Sequence, residues 1–346
     1  MTLIYFILIL GITVFIHELG HFIFAKKAGV YIYEFSIGMG PIIFKKKIKN
    51  DDTLYCIRLF PIGGFVSIAG EDDYTDKKIP KDKQLLFKPW KNRFLTMIAG
   101  VTFNFLLAIV LLFIVGIFTG APKYESKVAR IDPAYPLEST NMRPGDTIIK
   151  FNNSNIHTTD KLILLLTLNN NEEATFTVRH EDNSVETIKT KPIKVEENDT
   201  TSYRFGLELD NSKTNDIISL IEYPFKKTYS LMEQMVLILK NLIIGKLGFD
   251  NLSGPIGIYT VVGETAKSGF INIIYLIAYL CINVGFINLI PFPAFDGGRA
   301  LFLIIEKIRG KSINPKTENI IHTIGFYFLM ALMVLITYND IIKLIR

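Results

Sequence analysis

The sequence predicts an α-helical polytopic membrane protein with four transmembrane helices, a small juxtamembrane β-sheet and an inserted α/β domain. Three observations lead there. Hydrophobic residues make up 49% of the 346 positions and the mean hydropathy is positive, more apolar character than a soluble domain of this size needs. Four apolar runs, residues 2–24, 94–118, 270–290 and 320–338, each approach the roughly 20 residues that cover a bilayer. Strand-rich stretches separate the first three of them.

The first run carries His17, Glu18 and His21 among its apolar residues. It has no basic leader, is long for a signal peptide and lacks a small-residue cleavage site, so it reads as a span. Residues 30–69 alternate strand-prone pieces (VYIYEFS, PIIFKKKI, LYCIRLF and FVSIA) with the turn-like IGMGP and PIGG, which predicts a small sheet close to the membrane. Residues 71–93 are charged and irregular and read as a solvated connection. After the second span, residues 121–211 turn polar and rich in Thr and Asn, with short strands and one helical stretch at TDKLILLLTL, a soluble domain of about ninety residues. Residues 217–247 mix Leu, Ile and Met with Lys226, Lys227, Glu233, Lys240 and Lys246, too many charges for a span. An amphipathic helix on the outer surface is expected there. The domain plan is therefore 1–118 (two spans and the hairpins of 30–69), 119–212 (the inserted domain), 213–269 (surface helix and connector) and 270–346 (two spans).

Charge orients the chain. Residues 26–93 hold 14 Lys or Arg against 8 acids, and residues 119–269 hold 17 against 20. By the positive-inside rule the first loop is cytoplasmic and the second lies across the membrane. The third loop, with Lys307, Arg309, Lys311 and Lys316, returns to the cytoplasmic side, so both termini and the inserted domain face outward. These basic residues read as topology signals on a lipid bilayer, and no nucleic-acid partner is expected. Cys56 and Cys281, the two cysteines, define no disulfide framework, and no internal repeat is evident.

HELGH is the chemical motif. On a helix, His17 and His21 are four residues apart and project from one face, able to grip one zinc ion. Glu18 sits beside that face, where it can take a proton from a water whose pKa the metal lowers. An acid inside a span costs about 2.5–3.5 kcal/mol on insertion scales, so its presence points to function. A catalytic zinc needs a third protein ligand and an open position. His157 and His180 lie in the inserted domain and His322 opens the last span, which leaves Asp296, in NLIPFPAFDGGRAL just after the third span. Its prolines and glycines break the helix, and broken backbone at membrane depth requires a protein-lined or watery pocket. His17, His21 and Asp296 then fall on one side of the membrane.

HELGH with a later N-x-x-P-x-P-x-x-D-G-G, here Asn288 to Gly298, resembles the site-2 protease family of intramembrane metalloproteases. GMGP and FPIGGFV resemble its membrane-associated hairpins, AGVTFN its second-span motif ending in Asn104, and SGPIGI a segment before its third span. RPGDTIIKFNN and RFGLELD make the inserted domain similar to a PDZ domain, although PLESTNM replaces the usual small-residue run before Pro-Gly-Asp. The resemblance implies a Zn2+ cofactor held by His17, His21 and Asp296, Glu18 as general base and Asn288 as a contact to substrate, with Asn104 either a further such contact or a helix-to-helix hydrogen bond. It implies an enzyme of the bacterial cytoplasmic membrane that carries out regulated intramembrane proteolysis of membrane-embedded proteins, single-span anti-sigma factors or remnant signal peptides. The strand-prone segment Gly63, Gly64, Phe65, Val66 and Ser67 is expected to bind substrate as an edge strand. The rival reading is a non-enzymatic zinc-containing membrane adaptor that binds partners through its PDZ-like domain. A base beside the metal argues against it.

Overall fold

The computed structural model describes residues 1–71, 77–123, 125–197, 200–248 and 252–345. Two compact units are present: Met1–Leu112 with Phe249–Arg346, and Phe113–Gly248. Among the described residues, four helices are long and apolar enough to cross a membrane, in the four places where the apolar runs occur.

The first unit opens with α1 (Thr2–Lys27), apolar around its whole circumference. Its buried residues, Phe6, Ile9, Thr13, His17, Gly20, His21 and Ala25, recur every three or four positions and so form one stripe. Leu3, Ile4, Leu8 and Ile12 are exposed. Thr13, His17 and His21 thus lie on its inward stripe, as expected where the outer face meets lipid.

Two long bent strands follow, β1 (Ile32–Lys47) and β2 (Leu54–Ile68). Because each bends, residues 32–37 of β1 have neighbours on both sides. They run antiparallel to the end of β2, from Ile32 opposite Ile68 to Ile37 opposite Gly64. They also lie beside its start, from Glu34 opposite Leu54 to Ile37 opposite Ile57. Residues 42–47 pair with 54–58 beyond. The sheet expected over 30–69 is therefore one folded hairpin, with residues 64–68 at one edge. Residues 72–76 of the charged connection lie outside the described residues, but its later part is not simply solvated. Leu85 is 4% exposed, and its N–H donates to the Ala69 carbonyl at 2.7 Å. In α2 (Trp90–Thr119), Thr96, Gly100, Asn104, Ala108 and Leu112 stand four apart and are all buried, a stripe of mostly small residues of the kind that lets helices pack closely in a membrane.

The second unit is strand-rich. β3 (Ala121–Pro122), β4 (Val128–Ile131), β5 (Thr147–Phe151) and β6 (Ser154–Asn155) precede α3 (Thr159–Thr167), the helix expected at TDKLILLLTL. Thr158 caps it by accepting from the Lys161 N–H. β7 (Ala174–Arg179), β8 (Val185–Thr190), β9 (Ile193–Glu197), β10 (Thr200–Arg204), β11 (Leu207–Leu209) and β12 (Lys213–Thr214) complete it. β6-β5-β7-β8 form one antiparallel sheet, β11 pairs with β4, and β12 returns to β3. Alternation in β7 turns Ala174, Phe176 and Val178 inward, where Phe176 meets Phe151 and Phe205 edge-on at 5.0 and 5.2 Å. α4 (Ile217–Ile243) turns polar groups toward α3: Asp160 accepts from Lys227 and Ser230, and Lys161 pairs with Glu233 at 2.7 Å. Ile217, Ile218, Ile221, Phe225 and Val236 are exposed, so this helix wears its apolar side outward.

The chain then completes the first unit with α5 (Pro255–Lys267), α6 (Phe270–Leu289), α7 (Asp296–Arg309) and α8 (Pro315–Ile345). Phe6 and Ile9 of α1 pack with Val262 of α5 and with Ile273, Leu276 and Leu280 of α6. Two contacts fix α7 to the start of α2: the Trp90 indole N–H donates to the Leu303 carbonyl at 2.6 Å, and Arg93 pairs with Glu306 at 2.8 Å. In α8, Asp340 accepts from the Gly257 N–H at 2.9 Å and so caps the first turn of α5.

Candidate metal centre

Three electron-rich atoms converge where α1 meets the start of α7. Asp296 Oδ2 lies 3.0 Å from His17 Nε2 and 3.2 Å from His21 Nε2, and the two nitrogens are 3.3 Å apart. Donors about 2.0–2.1 Å from a tetrahedral ion stand about 3.3 Å from one another, so this triangle has the size that zinc requires. Among the described residues it is the group of His, Cys, Asp and Glu side chains spaced to hold a metal. Asp296 Oδ2 is buried and meets neither nitrogen in hydrogen-bond geometry. Lone pairs aimed at one point repel unless a cation lies between them, and the donor set of two imidazoles and a carboxylate suits zinc.

The helices behind the triangle orient its rings. His21 Nδ1 stands 2.8 Å from the Thr96 carbonyl, which can only accept, so Nδ1 carries the proton and Nε2 offers its lone pair. His17 Nδ1 stands 3.3 Å from the Asn104 amide nitrogen, while Asn104 Oδ1 is buried with no hydrogen-bond partner. Exchanging the two isosteric amide positions lets His17 Nδ1–H donate to Oδ1 and frees Nε2 for a metal. Gly100, between Thr96 and Asn104 on the same stripe, makes room for both rings. A Cβ there would lie 2.4 Å from His21 Nε2 and 2.8 Å from His17 Nε2.

Asp296 depends on a broken helix. α6 ends at Leu289, and α7 begins with Asp296 after Phe295, whose extended backbone forms its N-cap. Between them, the Phe292 N–H donates to the Ile290 carbonyl at 2.7 Å and the Phe295 N–H to the Phe292 carbonyl at 3.2 Å, which satisfies part of the interrupted backbone. Ala294 has φ +79°, a left-handed conformation that costs an L-residue on the order of 1–3 kcal/mol. Gly297 admits the close return of α7: a Cβ there would fall 2.3 Å from the Leu289 carbonyl oxygen.

A cavity of about 250 Å³ opens on the triangle, lined by His17, Glu18, His21, Val66, Ile68, Glu71, Asn288 and residues of the Asp296 turn. Glu18 and Asn288 are therefore on its wall, as the motifs lead one to expect. Asn104 is not: it is 0% exposed and stands behind His17, in the position of the helix-to-helix hydrogen bond that is its other reading. Of the strand-prone segment, Val66 faces the cavity, and the site of a Gly64 Cβ is 3.7 Å from Glu18 Cγ. Phe65 points elsewhere, under the Arg58 guanidinium at 5.2 Å. Ser67 pairs with Glu34, and Gly63 packs on Met39. Sequence reasoning missed Thr96, Gly100, Glu71 and Arg299. Thr96 acts through its carbonyl and leaves no side-chain signal, whereas the spacing of Gly100 and Asn104, one turn apart in a small-residue stripe, was available. Glu71 and Arg299 form an ion pair beside the triangle.

Paired histidines and a glutamate on one apolar helix, with an aspartate from a broken helix, are the residue types of a metallohydrolase centre, here in a chain with four helices long and apolar enough to cross a membrane. The chain belongs to peptidase family M50, the site-2 protease family, whose model matches residues 5–332. It is 31% identical over 420 residues to "Regulator of sigma-W protease RasP" of Bacillus subtilis (strain 168), with 99% of each chain covered. It is 32% identical over 420 residues to "Zinc metalloprotease RasP" of Bacillus licheniformis, again with 99% of each covered. Family and relatives together make this protein a zinc metalloprotease.

Gly100→Ala is expected to push both imidazoles from the triangle and to weaken zinc binding at least about tenfold, the scale seen when the support of a ligand is lost. Zinc content after dialysis against a graded chelator measures it. A folded variant that holds zinc as tightly as the wild type would show that the α1–α2 approach does not set the site.

Proposed function

We propose that this enzyme hydrolyses peptide bonds in or near the transmembrane helices of membrane-embedded substrates, with His17, His21 and Asp296 as zinc ligands and Glu18 as general base. The observation that carries the reading is the 3.0–3.3 Å triangle opening on a cavity whose wall includes both Glu18 and a sheet edge. Zinc there would act as a Lewis acid, polarising a carbonyl and acidifying water. Glu18 accepts the proton of the attacking water and delivers it to the leaving amine. Asn288, whose Nδ2 donates to the Val284 carbonyl at 2.9 Å, presents its remaining amide positions to a substrate backbone.

A helical substrate hides its scissile carbonyl in its own hydrogen bonds and must unwind first. In an apolar setting each lost backbone bond costs several kcal/mol unless a partner replaces it. Residues 64–68 are suited to be that partner. They pair with β1 on one side, through Phe35 opposite Val66 and Glu34 opposite Ser67, and no further strand among the described residues pairs with the other. An extended peptide can add to such an edge, with Val66 and Ile68 beneath it.

The basic loops and the name of the Bacillus subtilis relative support placing the protein in a bacterial cytoplasmic membrane, with residues 119–212 and both termini outside and anti-sigma factors or remnant signal peptides as substrates. Residues 119–212 are read as a PDZ-like domain. A groove between β11 and α3, lined by Tyr135, Ile163, Leu166 and Leu207, supports that reading. Its proposed task is to select substrates by size. Residues 213–269 supply the surface helix, and the exposed apolar side of α4 suits a bilayer interface.

Glu18→Gln should keep zinc and lose cleavage, because the amide cannot accept the proton. Asp296→Ala and His17→Ala should lose zinc affinity as well. Wild-type cleavage by Glu18→Gln, or normal zinc in Asp296→Ala, would remove the corresponding assignment. Deletion of residues 121–211 is expected to admit substrates with intact large ectodomains, scored by cleavage in cells. Loss of activity on already trimmed substrates alone would favour recruitment over exclusion. Val66→Pro or Ser67→Pro removes a backbone donor and distorts the edge. At least one of the two should impair cleavage of a helical membrane substrate while sparing zinc content and hydrolysis of a short extended peptide. If both cleave the helical substrate at the wild-type rate, or lose both substrates equally, strand addition at this edge is wrong.

A further inference from the structure

We infer that His322, on α8, is a positioning residue for the third metal ligand: it holds the turn that delivers Asp296. The inference rests on the reading of Asp296 as a ligand. His322 is 8% exposed, and its Nδ1 accepts the Ala294 N–H at 2.9 Å. Ala294 lies two residues before Asp296 and has φ +79°. The other described non-glycine residues with positive φ, Asn50, Asn152, Asn171 and Asn183, are all asparagines, the side chain that tolerates this conformation best. Alanine has no side-chain oxygen with which to stabilise it. The stabilisation therefore comes from outside, from an acceptor placed where the turned N–H points.

The rest of α8 agrees with this role. Gly325, one turn beyond His322, admits the same turn so closely that a Cβ would lie 2.7 Å from the Pro293 carbonyl oxygen. Phe328, one further turn on, has its ring 5.8 Å from that of Phe292. Three successive turns of α8 thus grip residues 292–294. His322 itself is fixed by the Phe302 ring of α7 at 5.5 Å. Accepting at Nδ1 requires the tautomer with its proton on Nε2, so the imidazole acts as a neutral acceptor. The bond crosses from α8 to the turn between α6 and α7, so the carboxylate position depends on a helix that contributes no ligand of its own.

The test is zinc affinity, measured by chelator competition on the purified full-length protein, together with the visible spectrum of the cobalt-substituted form, which reports ligand geometry independently of cleavage. His322→Ala should weaken zinc binding about tenfold, as expected when the group orienting a ligand is removed, and should alter the cobalt bands. His322→Asn offers Oδ1 near the position of Nδ1 and should recover most of the loss. Ala294→Gly in the His322→Ala background should recover part of it, because glycine adopts the turned conformation without support. Wild-type affinity and spectrum in His322→Ala, while Asp296→Ala loses zinc, would overturn the positioning role alone. If Asp296→Ala also keeps zinc, the ligand reading is the one that fails. Should His322→Ala not fold, the decision passes to His322→Asn: a folded Asn variant with zinc affinity reduced as far as in Asp296→Ala would also overturn the inference.

Discussion

The constraint that governs the centre is the convergence of three lone-pair-bearing atoms where α1 meets the start of α7. Two imidazole nitrogens of one long apolar helix, α1, and a carboxylate oxygen from the start of α7 stand 3.0–3.3 Å apart. Each such group is costly in a span, and a metal held between them would offset their mutual repulsion and their desolvation. From that follows the division of labour between segments. One helix can present two donors a turn apart, but no straight helix can bring a third to the same point, so the third comes from a second segment whose backbone is broken.

A broken helix within a membrane protein raises a second difficulty, since its freed N–H and C=O groups need partners where water is scarce. The turn between α6 and α7 answers it locally, through short bonds such as Phe292 N–H to Ile290, and remotely, through His322. The close return of α7 over the end of α6 is possible at Gly297 because there is no Cβ to strike the Leu289 carbonyl. On the opposite side, Gly100 performs the equivalent service for the two imidazoles. The triangle is thus built as much from missing side chains as from the three that point inward.

The folded hairpin completes the setting with exposed backbone groups instead of side-chain chemistry. Bending β1 and β2 places residues 64–68 at an edge of the sheet, with Val66 and Ile68 on the cavity wall and Phe65 turned away under Arg58. That alternation is the ordinary two-residue period of a strand. It explains why the five residues expected to meet substrate do not share one face.

How much of this was legible can be judged residue by residue. The four spans, the helix at TDKLILLLTL and the convergence of His17 with His21 all follow from periodicity along the chain, which a sequence displays directly. Glu18 and Asp296 were legible because an acid in an apolar span and a Pro-rich, Gly-rich break are each costly enough to mark function. The sheet of residues 30–69 was recognisable as strands, but its folding into one bent hairpin was not. Neither was the inward polarity of α4, since its charges pair with α3, some seventy residues distant. Asn104 was singled out with two readings, because its motif does not say whether it faces the cavity or the back of His17. Thr96 acts through a carbonyl and His322 through a bond to a strained alanine, and neither has a local signature. The sequence by itself determined which residues are candidates to carry the chemistry, because helical period and insertion cost are properties of a single segment. Only the tertiary structure decided which residues support them, because that depends on how segments distant in the sequence cross, and crossing is settled by packing.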